Sequence, residues 1–255
     1  MTAPVVFFHA HPDDEAIFTG GTIARLAADG VRAVVVFATG GELGVASDAG
    51  ELGAVRRREA VAACEALGAA RVEFLGYGDS GLLGHGDEPP VGSFAAVPSD
   101  EAAERLAAIA AEEAAGALVF YDEGGIYGHV DHLAAHRVGR RAAALAGVAT
   151  VYESTVDREY LHFVETHLVD QALGSLYEVS PHAAQPVGVP TALLSTTVDV
   201  RSVLDAKRAA MAAHASQLPA DAPLFGLDAD TFAGVYGYEW YVRAGPPGPI
   251  DRLGF

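Results

Sequence analysis

The chain has 255 residues, 51% of them hydrophobic and 20% charged, which is enough to bury a full core and wrong for a disordered polypeptide. Its 34 Asp and Glu against 16 Lys and Arg leave a formal charge of −18, a field that repels phosphate backbones and anionic membranes, so neither nucleic acid nor membrane is an expected partner. A single cysteine, Cys64, excludes an intrachain disulfide and a thiolate-rich metal site; within the apolar stretch AVAACEALG it reads as a buried, inert thiol. The first residues, MTAPVVFFHAHPDDE, lack the basic stretch and long apolar core of a signal peptide, and no run approaches the roughly 20 apolar residues of a membrane span. A cytoplasmic location is therefore expected.

Residues 4–10 form a continuous apolar run suited to a buried strand, followed by a helical pattern over 15–29 that stops at Gly30. VRAVVVFA, from Val31 to Ala38, is β-branched and predicts a second buried strand. Residues 54–67 predict a helix ending at Gly68, and 71–75 a strand. Ser99 reads as an N-cap, with Asp100 and Glu101 in the first turn of a helix running to about Glu113. A strand is expected at 117–121, a helix at 132–146 and a strand at 149–154; beyond that the pattern is less regular, with a helix over 203–216 and an aromatic-rich strand pair or strand-plus-turn over 232–243. Strand–helix alternation with wholly apolar strands predicts an α/β fold: a mostly parallel, Rossmann-like sheet with helices on both faces, in one domain spanning 1–255. Two long loops rich in Gly, Asp and Ser, 39–53 and 76–98, follow predicted strands and are expected to rim a site, because ligands of open parallel sheets bind beyond the C-terminal ends of strands.

The chemistry concentrates in two clusters. His9-Ala-His11-Pro-Asp13-Asp14-Glu15 follows the first strand, and His11, Asp13, Asp14 and Glu15 place four ionisable side chains in five positions beside a buried apolar run. A divalent ion would neutralise the carboxylates and accept an imidazole nitrogen. The second cluster, Tyr127-Gly-His129-Val-Asp131-His132 with His136 beyond, follows the strand at 117–121 and so belongs to the same edge of the sheet. A site of two histidines and one aspartate needs one more imidazole beside His11 and Asp14; His129, His132 and His136 compete for that place.

HAHPDDE followed by GHVDH resembles the LmbE/PIG-L family of zinc-dependent N-deacetylases, which act on N-acetylglucosaminyl conjugates. The similarity extends to RRRE around Arg56, LGYGDSGL around Asp79 and KRAAMAAHASQ from Lys207 to Gln217, and is nearest the branch that handles mycothiol and its precursor. The resemblance implies a zinc site, with ferrous iron an alternative, held by His11, Asp14 and His132, with Asp13 as general base and His129 stabilising the oxyanion as an imidazolium. It further implies that Asp131 orients or tunes His129, that Tyr127 helps at the polarised carbonyl, and that Arg56 and Asp79 hold the sugar or its aglycone. The expected partner is a small amino-sugar conjugate, and the expected reaction is removal of an N-acyl, chiefly N-acetyl, group.

Competing readings are a zinc-dependent decarbamoylase or amidase sharing the same site, and a non-catalytic metal- or sugar-binding module. Asp13 beside Asp14, together with His129, argues against the last, since a structural site needs no spare base. Gly20-Gly21 and Gly40-Gly41 are not a dinucleotide fingerprint, and Ser80 lacks the strand–elbow–helix context of a serine nucleophile. Asp157, His162, Glu165, His167 and Asp170 read as the solvated face of a helix, and His214 with Gln217 as capping, packing or pocket residues.

Overall fold

The computed structural model describes residues 2–44, 49–83, 87–164 and 186–254. Its centre is a seven-stranded sheet built from β1 (Val5–His9), β2 (Ala33–Thr39), β3 (Arg71–Tyr77), β4 (Ala117–Tyr121), β5 (Val151–Thr155), β6 (Thr196–Asp199) and β7 (Tyr238–Ala244), in the order β3-β2-β1-β4-β5-β7-β6. The first five strands are parallel, and β7 runs antiparallel to both β5 and β6. Every residue of β1, β2 and β4 is buried, which is why these segments are unbroken apolar runs rather than alternating ones.

The pleat divides the core. Val6 and Phe8 of β1 face a cluster that includes Leu106 of α4 (Ser99–Glu112) and Ala135 and Val138 of α6 (Val130–Ala146), with α5 (Gly125–Gly128) the short turn before it. Val5 and Phe7 face the opposite cluster, with Ile23 of α2 (Gly20–Ala28), Ala60 of α3 (Ala49–Ala66) and Met211 of α8 (Leu204–Ala213). Gly139 lets α6 lie directly on β4, since a Cβ there would stand 2.3 Å from the Phe120 ring. Gly147 ends the same helix in the left-handed conformation (φ 67°). The chain leaves β1 for β2 and β3 on one side and returns to β4 and β5 on the other. Strand order therefore reverses between β1 and β4, the crevice where open α/β sheets bind ligands.

Four expectations change. The single helix over 15–29 is two, α1 (Asp14–Phe18) and α2, because Thr19 leaves helical geometry (φ −138°) and turns its hydroxyl toward His9. Pro98, not Ser99, holds the N-cap position of α4. Residues 232–243 are not a strand pair: Asp228 caps α9 (Ala229–Tyr236) by accepting from the Thr231 N–H, Phe232 and Val235 bury one face of that helix, and only then does β7 begin. The short strand β6 had no counterpart in the sequence reading, and α3 begins at Ala49, shortening the loop expected over 39–53. Among the described residues no helix is long and apolar enough to cross a membrane.

The C-terminal strands are tied to the first half by a buried charge. Glu239 of β7 accepts from Lys207 Nζ (2.7 Å) and from the N–H groups of Gly21 and Thr22 (2.8 Å each) at the start of α2, where the helix dipole favours a carboxylate. Both side chains of the pair are 1% exposed. Glu239→Ala leaves the Lys207 ammonium buried without its counter-charge and is expected to cost about 3–5 kcal/mol of stability, read as a lowered urea midpoint at unchanged denaturant slope.

Candidate active site

Both sequence clusters end up at the β1–β4 crevice. The centre is one carboxylate oxygen, Asp14 Oδ2, which accepts from the backbone N–H of His11 (3.0 Å) and the hydroxyl of Tyr121 (2.8 Å). His11 Nδ1 lies 3.5 Å and His132 Nε2 3.3 Å from the same oxygen. The ligand atoms of His11, Asp14 and His132 are all within 4.8 Å of one another, so of the three competing histidines His132 completes the set, although His129 with His11 and Asp131 forms a second such group beside it. His136 stays out: its Nδ1 bonds the Tyr121 carbonyl oxygen (3.0 Å) and its ring lies against Phe120.

The donor set suits a divalent cation. Metal–ligand bonds of about 2.1 Å at tetrahedral angles put ligand atoms roughly 3.4 Å apart, the spacing both imidazoles keep from Asp14. The other nitrogen of His11 bonds Asp131 Oδ2 (3.1 Å), the outer carboxylate that metal-binding histidines habitually have. The other nitrogen of His132, Nδ1, is buried with no hydrogen-bond partner among the described residues. Burial opposes the charged form of His11, but its bonds to Asp131, Asp14 and Asp79 outweigh it and raise its pKa well above the usual imidazole value. Burial likewise opposes ionised Asp14, yet His132 and His11 hold it well below the ordinary carboxylate range.

Asp13 is set apart. Its backbone has φ 98°, a conformation that costs a non-glycine residue about 1–3 kcal/mol and must be imposed by its surroundings. Its N–H donates to Glu15 Oε2 (2.9 Å), and Arg56 donates both to Asp13 Oδ2 (3.1 Å) and to the preceding Pro12 carbonyl (2.5 Å). Burial, opposed by Arg56 and reinforced by Asp14, pushes its carboxyl up to about 6. On the other side, α5 carries a second strained residue, Ile126 (φ 64°), whose N–H is held by Asp122 Oδ1. That turn directs Tyr127 OH to within 3.3 Å of His132 Nε2 and sets the ring of His129 4.7 Å from that of His11.

The residues of both clusters lie in a stretch that matches a known family. A family model described as GlcNAc-PI de-N-acetylase (PIG-L) matches residues 6–143. The chain belongs to this family. It is 38% identical to the 1D-myo-inositol 2-acetamido-2-deoxy-alpha-D-glucopyranoside deacetylase of Thermobispora bispora, over 96% of this chain and 89% of that protein. Among solved structures it is similar to the N,N'-diacetylchitobiose deacetylase of Pyrococcus horikoshii (TM-score 0.61, 20% identity, 98% of this chain and 88% of that one). It is equally similar in fold to the 4-carboxy-2-hydroxymuconate hydratase of Pseudomonas putida (TM-score 0.61, 20% identity, 98% of each chain), so the fold by itself does not fix the reaction.

Within this PIG-L chain the remaining candidates fall as follows. The Asp131 carboxylate accepts from Ser80 Oγ (2.5 Å), bonds His11 and acts on His129 through its charge, while the Asp131 backbone N–H donates to His129 Nδ1 (3.1 Å). With Nδ1 taken up by that N–H, Nε2 is the position from which His129 can donate; burial, then the fields of His11 and His132, push its pKa down to about 3. Arg56 and Asp79, expected to hold sugar, are buried and bonded to protein groups, Arg56 to Gly41 and Pro12 carbonyls and Asp13, and Asp79 to the N–H groups of Leu43 and Gly81. Asp157 caps α7 (Arg158–Phe163) and is buried rather than on the solvated face expected of it, whereas His162 is exposed; Glu165, His167 and Asp170 lie outside the described residues. Cys64 is buried with its thiol pKa raised by burial. A hollow walled by Tyr160, Tyr236, Tyr238 and Trp240 also includes Phe18, whose ring stands 6.4 Å from that of His132, but none of the cluster's ionisable residues lines it.

The sequence reading gave no role to Tyr121, Glu15 or His9. Tyr121 donates its proton to Asp14 and stacks on His132 (4.1 Å between centroids), while its oxygen accepts from the Ala10 N–H (2.9 Å) and His9 Nδ1–H (3.2 Å). A polar tip on the last residue of an otherwise apolar buried strand was the available signal. His9 is fully buried, and burial, against the raising fields of Asp14 and Glu15, lowers its pKa from 6.5 to about 4. Below pH 6.5 the unfolded chain therefore takes up a proton at His9 that the folded protein refuses until about pH 4. Stability falls as pH drops through that window, by roughly 3 kcal/mol in total. Urea midpoints measured from pH 7 to 4 should show this slope in the wild type and lack that part of it in His9→Gln.

Proposed function

We propose that this protein is a metal-dependent N-deacetylase that hydrolyses the acetamide of a glucosamine joined to a polyol such as inositol. The observation that carries the reading is Asp13, a half-buried carboxylate with its pKa raised to about 6, adjacent in sequence to the Asp14 ligand yet held off it by a strained backbone and Arg56. A purely structural metal site has no use for such a group, whereas a general base works best with a pKa near the operating pH. The identity of more than a third to an inositol glucosaminide deacetylase supports the substrate class.

His11, Asp14 and His132 would hold the ion, zinc by the two-imidazole, one-carboxylate donor set, which also accepts ferrous iron. When bound, a divalent ion with three protein ligands lowers the pKa of a water to about 7 and polarises the carbonyl. The Asp13 carboxylate takes the proton from the attacking water as its oxygen bonds to the amide carbon. His129 donates its Nε2 proton as a hydrogen bond to the oxyanion, and the Tyr127 hydroxyl, beside His132, adds a second donor. Asp13 then passes its proton to the departing nitrogen as the C–N bond breaks, giving acetate and the free amine. Asp131 fixes the ring of His11 through its carboxylate and that of His129 through its N–H, and Arg56 aims Asp13.

Amine release from a panel of N-acetylglucosaminides, including the inositol conjugate, should be abolished by a chelator and restored by zinc. Asp13→Ala should keep one equivalent of metal and lose about 10²–10⁴-fold in kcat. Loss of metal in that variant would reverse the assignments of base and ligand, and metal binding with no turnover on any acylated amino sugar would remove the deacetylase reading.

A further inference from the structure

The strained backbone of Asp13 is held from far along the chain. Glu15 accepts the Asp13 N–H at Oε2 (2.9 Å), and its other oxygen, Oε1, accepts from Nε2 of His214 (2.6 Å), just past the C-terminus of α8 and 199 residues away in sequence. Both side chains of this pair are 0% exposed. His214 makes no second side-chain bond, its Nδ1 being buried without a partner, so its polar function is spent on Glu15 alone. His214 is itself fixed: its N–H bonds the Met211 carbonyl, its carbonyl accepts from Gln217 and Leu218, and the neighbouring Ser216 is clamped by Glu59 through N–H and hydroxyl.

We propose that His214 is a positioning residue for deacetylation, acting through Glu15 to keep Asp13 in its left-handed conformation and its carboxylate aimed at the reacting water. The inference rests on Asp13 being the base. Packing alone does not account for the pair, because desolvating a carboxylate and an imidazole is costly and an apolar pair of the same volume fills the space without that cost. What an apolar pair cannot do is give the Asp13 N–H a fixed acceptor. Without the His214 proton donor, Glu15 loses the bond that orients it, and Asp13 relaxes toward the negative φ that non-glycine residues prefer.

The test compares His214→Phe, His214→Asn and His214→Gln in the metal-loaded enzyme, measuring kcat, KM and bound metal per folded molecule on the inositol conjugate or the best N-acetylglucosaminide of the panel. Phe offers no donor, the Asn amide is too short to reach Glu15, and the Gln amide nitrogen can take the place of Nε2. We expect Phe and Asn to lose about 10–100-fold in kcat with KM and one equivalent of metal retained, and Gln to recover most of the loss. Should His214→Phe fail to fold, the contrast between Asn and Gln carries the decision. Wild-type kcat in the Asn variant, or a Gln variant as slow as Asn, overturns the inference. Asp13→Asn assayed alongside separates the two claims: an active Asp13→Asn sinks the base assignment itself, whereas an inactive one with His214 variants at full rate sinks only the role of His214.

Discussion

One oxygen atom organises the crevice. Asp14 Oδ2 collects a backbone N–H, a tyrosine hydroxyl and two imidazole nitrogens, and a carboxylate so deeply buried is tolerated only because positive or donating groups surround it. Each of those groups arrives on a different part of the fold. His11 comes from the end of β1, Tyr121 from the end of β4, and His132 from the first turn of α6. The parallel pairing of β1 with β4, and the seating of α6 on β4 through Gly139, are thus conditions for the site and not merely its scaffold.

The polar shells around that oxygen differ in what they secure. The His9–Tyr121 pair fixes the ligand carboxylate, and Ser80 with Asp131 fixes the ring of His11. Arg56 and Glu15 fix Asp13. Two residues with positive φ, Asp13 and Ile126, flank the crevice and point their neighbours inward, the arrangement expected where local strain is stored for function and offset by hydrogen bonds nearby.

Much of this was legible in the sequence because it depends on short-range signals. Continuous apolar runs identified β1, β2 and β4, and the dense ionisable cluster after Ala10 announced a site at a strand end. Spacing alone left three histidines competing for the place beside His11; the sheet order and the first turn of α6 bring in His132, while the second turn carries His136 away to the Tyr121 carbonyl. What escaped was long-range or set by small differences in backbone angle. The break at Thr19 requires a hydroxyl to prefer His9 over the helix, and the helix at 229–236 hides its period in a run of aromatic residues that also suits a strand. The partners of Glu15 and Glu239 lie 199 and 32 residues off, and no local pattern links them.

The division of the ligand set between strand ends carries a consequence for durability. His11 and Asp14 follow β1 and His132 follows β4, yet Asp14 Oδ2 and His132 Nε2 stand 3.3 Å apart. An ion gripping both sides acts as a reversible staple across the middle of the sheet, and because the opened chain lacks the assembled grip, occupancy raises the free energy of unfolding logarithmically with the supply of ion. With His11, Asp14 and His132 as the proposed ligands, resistance to heat and to proteases would follow the metal content of the protein's surroundings.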